Sequence, residues 1–150
     1  MKLNKYLSLF AFFSSLVVAH AGDGWMTDFK AALVEAKQQE KPILVDFTGS
    51  DWCGWCIRLD KEVFSKDAFL EFANDELILV EIDFPRGKKQ SESIKAQNEQ
   101  LLAKYGVLGF PTILLLDSNG QTIGKTGYRP GGPEAYVEHI KEIVEKGVGR

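Results

Sequence analysis

Cysteine is scarce in this chain: there are two in 150 residues, and histidine is equally rare. Two cysteines cannot build the disulfide framework of a small secreted scaffold. Both fall in the run Asp51-Trp52-Cys53-Gly54-Trp55-Cys56, with two residues between them. A structural disulfide stabilises mainly by closing a long loop in the unfolded chain, and this loop is nearly the shortest possible. A structural zinc site needs about four ligands, which the chain does not supply. A dithiol that opens and closes is the leading reading, with a permanently closed or inert pair as the alternative.

Basic charge is also in short supply. The chain has 18 basic and 21 acidic residues, a formal charge of −3. No basic patch marks a nucleic-acid surface. The run Arg86-Gly87-Lys88-Lys89 is short, is followed by Glu92, and reads as a solvated loop. The chain also lacks internal repeats, low-complexity stretches and linkers, so one domain is the simplest organisation.

Long apolar runs are confined to the N-terminus. Lys2 and Lys5 precede Leu7–Val18, which is apolar apart from three serines, and Ala19-His20-Ala21 offers small residues one apart. This is the pattern of a secretory signal peptide over residues 1–21, with a domain over residues 22–150. The stretch is short against the ~20 residues a spanning helix needs, so cleavage and no stable membrane insertion are expected. No cysteine follows it to carry a lipid anchor. The expected location is periplasmic or secreted, where disulfides persist. Without Lys2 and Lys5 the 18 basic residues become 16 against 21 acidic, and the charge moves from −3 to −5.

The rest alternates helical and strand patterns. Residues 28–39 read as a helix with Thr27 as N-cap. Ile43–Phe47 is a short β-rich run broken only by Asp46, the pattern of a buried strand. A helix follows from Cys53 to about Phe64, then a shorter one over Asp67–Ala73. Leu77–Ile82 is a strand, Glu92–Lys104 a helix, and Thr112–Leu116 with Gln121–Thr126 a hairpin around Asp117-Ser118-Asn119-Gly120. The stretch Asp83–Asn98 includes a polar loop; its length reads as a lengthened helix, with contact to a partner as the alternative. Pro133 can open a last helix ending near Gly147. Strands separated by helices pair in parallel, and the hairpin adds an antiparallel strand. The expected fold class is α/β: a mixed central sheet with helices on both faces. The cysteine pair lies just past the carboxyl end of the first strand, the edge where such sheets place their sites.

The runs Ile43-Leu44-Val45-Asp46-Phe47, Trp52-Cys53-Gly54-Trp55-Cys56 and Tyr105-Gly106-Val107-Leu108-Gly109-Phe110-Pro111-Thr112 together resemble the thioredoxin family. The family shows an aspartate in the strand before a WCxxC helix start, and a Gly-hydrophobic-Pro-Thr segment later. Within it, the chain is most similar to secreted bacterial thioredoxin-like proteins with a Gly-Ser-Asp-Trp-Cys loop. The resemblance implies a thioredoxin fold and thiol–disulfide exchange with protein substrates, with a redox-recycling partner and no cofactor.

Cys53, at a helix N-terminus, would meet unpaired N–H groups that favour a thiolate, which makes it the candidate nucleophile. Cys56, one turn on, would resolve the mixed disulfide. Asp46 would keep its proton to high pH and shuttle that of Cys56. The family often pairs this acid with a lysine on the adjacent strand, and here that strand reads Leu77-Ile78-Leu79-Val80-Glu81-Ile82. Pro111 would be cis and face the disulfide, presenting Phe110 to an extended substrate. Trp52, Trp55 and Phe110, with Gly54 between the sulfurs, would form the substrate-contacting rim. Trp55 stands where reducing relatives have proline, and no histidine stands between the sulfurs as in strong oxidants, so the direction of exchange is open. His139 reads as a surface residue.

Two other function classes use the same fold. A metal-binding or metal-delivery protein would show tight stoichiometric copper or zinc binding when reduced. A non-catalytic peptide-binding adaptor would keep partner capture after Cys53→Ser.

Overall fold

The computed structural model describes residues 24–148; the expected signal peptide at 1–21 lies outside them. Along the chain run α1 (Phe29–Gln39), β1 (Ile43–Thr48), α2 (Gly54–Leu59), a π-helical turn (Asp60–Phe64), α3 (Asp67–Glu76), β2 (Ile78–Asp83), α4 (Glu92–Lys104), β3 (Thr112–Leu116), β4 (Thr122–Thr126) and α5 (Gly132–Val148). Every expected element is present, with boundaries displaced by a few residues at most. The helix that begins after Cys53 continues through the π-helical turn, where the Ser65 N–H reaches the Asp60 carbonyl at 2.9 Å.

The cap of α1 differs from expectation. Asp28, not Thr27, has the extended backbone of a cap, and its carboxylate accepts the Ala31 N–H. Thr27 instead offers its carbonyl to the Gln97 side chain at 2.9 Å. Capping needs a side-chain oxygen on the last non-helical residue, and the chain turns helical one residue later than composition suggests.

The sheet order is β2-β1-β3-β4. β1 and β2 are parallel, as expected. β3 departs: although a helix precedes it, it runs antiparallel to β1. The reason is where the connection begins and ends. Thr48 pairs with Asp83 at the end of β2, and Phe47 pairs with Thr112 at the start of β3. The segment carrying α4 therefore leaves and re-enters at the same edge, and a strand entering there must run the other way. The antiparallel β3–β4 hairpin forms as expected.

Alternation along the strands splits the core in two. Ile43, Val45 and Phe47 face a layer containing Phe29, Ala32 and Leu101, from α1 and α4. Leu44, Leu79, Ile113 and Leu115 face Leu59, Phe69, Tyr136 and Ile140, from α2, α3 and α5. β1 is buried along its whole length, as befits a central strand covered on both faces. Asp46 shares the Leu44 face and so points toward the layer that contains α2.

Ahead of α1, Met26 forms a parallel bridge with Val80. Its N–H donates to Leu79 O and its carbonyl accepts the Glu81 N–H, both at 2.9 Å. The outer edge of β2 is thereby partly covered, a feature the sequence did not signal.

Candidate active site

Gly49-Ser50-Asp51-Trp52 carries the chain from the end of β1 to α2. The Cys53 N–H bonds the Gly49 carbonyl at 2.8 Å, turning the chain so that Cys53 becomes the N-cap of α2. Its backbone is extended (φ −83°, ψ 104°), and its sulfur accepts the Cys56 N–H at 3.3 Å. An N-cap sulfur is thus held where a helix presents its unpaired donors. Cys53 and Cys56 form a disulfide with Cα atoms 5.2 Å apart. Both are buried, at 7% and 4% exposure, with Cys56 the deeper by a small margin.

Behind Cys56 lies a cavity of about 330 Å³, lined among others by Asp46, Asp60, Glu81 and Lys88. The Asp46 residue is 9% exposed, and among the described residues its Oδ1 has no hydrogen-bond partner. Burial holds its carboxyl well above the usual carboxylate range, and the negative charges of Glu81, Asp60 and Asp83 add to the effect. The structure brings Asp46 and Cys56 to one cavity and puts two further acids, Asp60 and Glu81, in it.

The Phe110–Pro111 bond is cis. Pro111 directly precedes β3, whose first residue Thr112 pairs with Phe47; this sets it at the sheet edge that carries the cysteine loop. The aromatics expected to form a rim fall into two separate clusters. In one, the Trp52 ring meets Phe110 edge-on at 6.0 Å, and Phe110 stacks on Phe84 at 5.2 Å. In the other, Trp55 packs on Tyr128 at 5.0 Å, and the Arg58 guanidinium lies over both rings. Tyr128 donates to Glu62 at 2.7 Å, and Glu62 also pairs with Arg58. Trp55 is 55% exposed and Leu108 is 98% exposed. Gly54 has open space where a side chain would stand.

Residues 83–88, read from sequence as part of a solvated connection, are fastened to the cysteine loop. The Asp83 carboxylate accepts the Ser50 N–H at 2.9 Å and the Ser50 hydroxyl at 2.6 Å. Asp51 accepts the N–H groups of Arg86 at 3.0 Å and Gly87 at 2.6 Å, and these hold its carboxyl below the usual range. The Arg86 guanidinium sits 3.8 Å from the Trp52 ring centre, and Lys88 donates to Ser50 Oγ at 3.1 Å. Two of the three cations of Arg86-Gly87-Lys88-Lys89 are thus engaged. His139 also departs from expectation: it is half-buried, with Nε2 2.9 Å from Thr126 Oγ1. Among the described residues, no group of three or more His, Cys, Asp or Glu is arranged to hold a metal ion.

The family model of the thioredoxin-like domain matches residues 29–141. The chain belongs to the thioredoxin-like family. It is 38% identical over 128 residues to the disulfide bond reductase DsbH of Chlamydia pneumoniae, covering 85% of this chain and 76% of DsbH. It is 33% identical to the thioredoxin-related protein DsbJ of the same organism, covering 69% of this chain and 30% of DsbJ. A solved structure of a DsbH oxidoreductase superposes with TM-score 0.77 and 34% identity, covering 95% of each chain. The oxidised C-terminal domain of Neisseria meningitidis DsbD, 17% identical with TM-score 0.55 over 75% of this chain and 90% of that one, shares the fold. The chain is thus a thioredoxin-like thiol–disulfide oxidoreductase, with its two cysteines bonded across the first turn of α2.

Proposed function

We propose that this protein is an extracytoplasmic reductase of disulfides in protein substrates. One observation carries the reading: the Cys53 sulfur caps α2 and accepts the Cys56 N–H, while Cys56 stands within disulfide reach. The similarity to a disulfide bond reductase supports the direction, and the leader-like pattern of residues 1–21 supports the compartment.

In the reduced protein, the Cys53 thiolate attacks a substrate disulfide. One substrate sulfur leaves as thiolate and a mixed disulfide forms. Asp46 takes the proton of Cys56, whose sulfur then attacks Cys53 and expels the second substrate thiolate. Two electrons pass to the substrate and the Cys53–Cys56 disulfide remains. A dithiol donor protein, itself oxidised to a disulfide, reduces this pair back to the dithiol. Trp52, Gly54, Trp55, Phe110 and Pro111 surround the approach to Cys53 and contact the polypeptide around the target disulfide.

The decisive experiment pairs two measurements on the mature chain. Cys53→Ser abolishes reduction of a disulfide-bonded protein, whereas Cys56→Ser accumulates a mixed disulfide through Cys53. The reduction potential of the pair lies closer to that of thioredoxin, about −270 mV, than to that of DsbA, about −120 mV. A potential near the DsbA value reverses the proposed direction. Substrate reduction that survives Cys53→Ser sinks the enzymatic role of this pair.

A further inference from the structure

Of the acids in the cavity behind Cys56, the exchange scheme above uses only Asp46, and Glu81 is the one strand-paired with it. Glu81 is the register partner of Asp46 across the parallel β1–β2 pair, so both side chains point to the same face. Both line the cavity that Cys56 closes. The Glu81 backbone is fixed at this place by its N–H bond to Met26 O at 2.9 Å. The Asp46 Oδ1 beside it is buried without a hydrogen-bond partner among the described residues.

Each element around Asp46 presents a distinct set of groups. The π-helical turn contributes Asp60 to the cavity wall. β2 contributes Asp83 in addition to Glu81, and the Asp83 carboxylate is occupied by Ser50. β3 sets the apolar Ile113 opposite Asp46. α5 brings Tyr136, whose hydroxyl donates to the Gly127 carbonyl at 3.0 Å; the negative charge of Asp46 acts on that phenol, and the Arg129 cation acts on it in the opposite sense. The cation lining the cavity is Lys88, exposed and tied to Ser50 Oγ at 3.1 Å.

We propose that Glu81 is a positioning residue for the exchange reaction, acting on Asp46 through the cavity they share, with Lys88 as its counter-charge. The inference rests on the role given to Asp46 above. Two carboxylates confined together resist double ionisation, so the pair holds one proton over a pH range in which separate acids hold none. Burial, the nearby acids and Lys88 act on Glu81 in the senses this requires: burial and Asp83 favour its protonated form, and Lys88 favours its charge.

The step is balanced within the site. In the mixed disulfide, the S–H bond of Cys56 breaks and its proton forms an O–H bond on the Asp46 carboxylate. The electron pair left on Cys56 Sγ forms the bond to Cys53 Sγ as the Cys53–substrate bond breaks. The substrate sulfur departs with that bonding pair as a thiolate. Glu81 does not touch the sulfurs; its charge decides at what pH Asp46 is free to take the proton.

The test is the pH dependence of single-turnover oxidation of the reduced protein by a cystine-containing peptide. Glu81→Gln moves the acid-side midpoint down by about one pH unit. Glu81→Asp restores most of the parent midpoint, and Lys88→Met moves it up. A Glu81→Gln variant whose rate falls by one factor at every pH, with the midpoint unmoved, overturns the proposal. Asp46→Asn separates the two readings. If it leaves the acid limb in place, the base role of Asp46 fails. If it removes the limb while Glu81→Gln leaves the midpoint unmoved, only the present inference fails. Should Glu81→Gln not fold, carbon-13 titration of the side-chain carboxyls in the parent decides. Shared two-step curves for Asp46 and Glu81 support the pair, and independent single steps overturn it.

Discussion

The indole N–H of Trp52 donates to the Phe84 carbonyl at 2.8 Å. This bond ties the residue preceding the nucleophile candidate to the segment just beyond β2. With Asp83 on Ser50 and Asp51 on Arg86 and Gly87, it makes residues 83–88 a strap across the cysteine loop.

The strap depends on a glycine. A Cβ at Gly49 would stand 2.5 Å from Trp52 Cε2, closer than such atoms approach. Gly49→Ala therefore displaces the indole from both Phe84 and Arg86. The expected cost is about 1–3 kcal/mol, read by thermal unfolding, with loss of the near-UV circular dichroism that a fixed Trp52 gives. An unchanged spectrum with unchanged stability would contradict this packing.

Asp51→Asn tests the same strap by charge. The lowered pKa of Asp51 comes chiefly from the Arg86 and Gly87 N–H groups, which favour its carboxylate. A folded value below the unfolded one means that the contribution is present above the unfolded value, about 3.9. It is lost as pH falls through the folded value. In the Asn variant, hydrogen exchange at Arg86 and Gly87 quickens at neutral pH. In the parent the same quickening appears only under acid conditions.

Asp46 carries the opposite sign. Its carboxyl is held well above the usual range by burial and by neighbouring acids, so folding favours the protonated form. The parent suffers no penalty from this below the unfolded value and a growing one as pH rises through the folded value. Asp46→Asn is therefore expected to raise the melting temperature near pH 8, by an amount equivalent to about 1–3 kcal/mol. At pH 3 it should change little. A gain equal at both pH values would rule out ionisation as the cause.

Leu108 is 98% exposed, in the loop that leads to the cis peptide bond at Phe110–Pro111. An apolar side chain so placed contacts substrate, or nothing. Leu108→Ser should leave stability within about 0.5 kcal/mol. It should raise KM for a protein disulfide roughly tenfold, with the rate on a small disulfide unaltered. Equal KM values for parent and variant on the protein disulfide would remove Leu108 from the contact surface.

Legibility in the sequence followed the range of the interaction. The run Ile43–Phe47 announced a buried strand because its side chains alone decide that, and the helix start at Cys53 was legible from the loop before it. The pairing sense of β3 was not, because it depends on where a long connection re-enters the sheet. The strap was hidden for a similar reason: Ser50 and Asp83 are 33 residues apart, and Asp51 and Gly87 are 36 apart. The cations Arg86 and Lys88 looked like solvated charge since their partners are remote in the chain. Glu81 lay between. Its strand read as lacking the family's lysine, and only the register with Asp46 turned that absence into an acid facing the same cavity.

The strap also bears on which disulfides the protein can open. Trp52 is already held by Phe84, Phe110 and Arg86 before any substrate arrives, so little side-chain freedom remains to be lost on this side of the encounter. The ordering entropy of association then falls mainly on the polypeptide that docks. A receptor fixed in this way favours polypeptides whose own ordering on docking costs least.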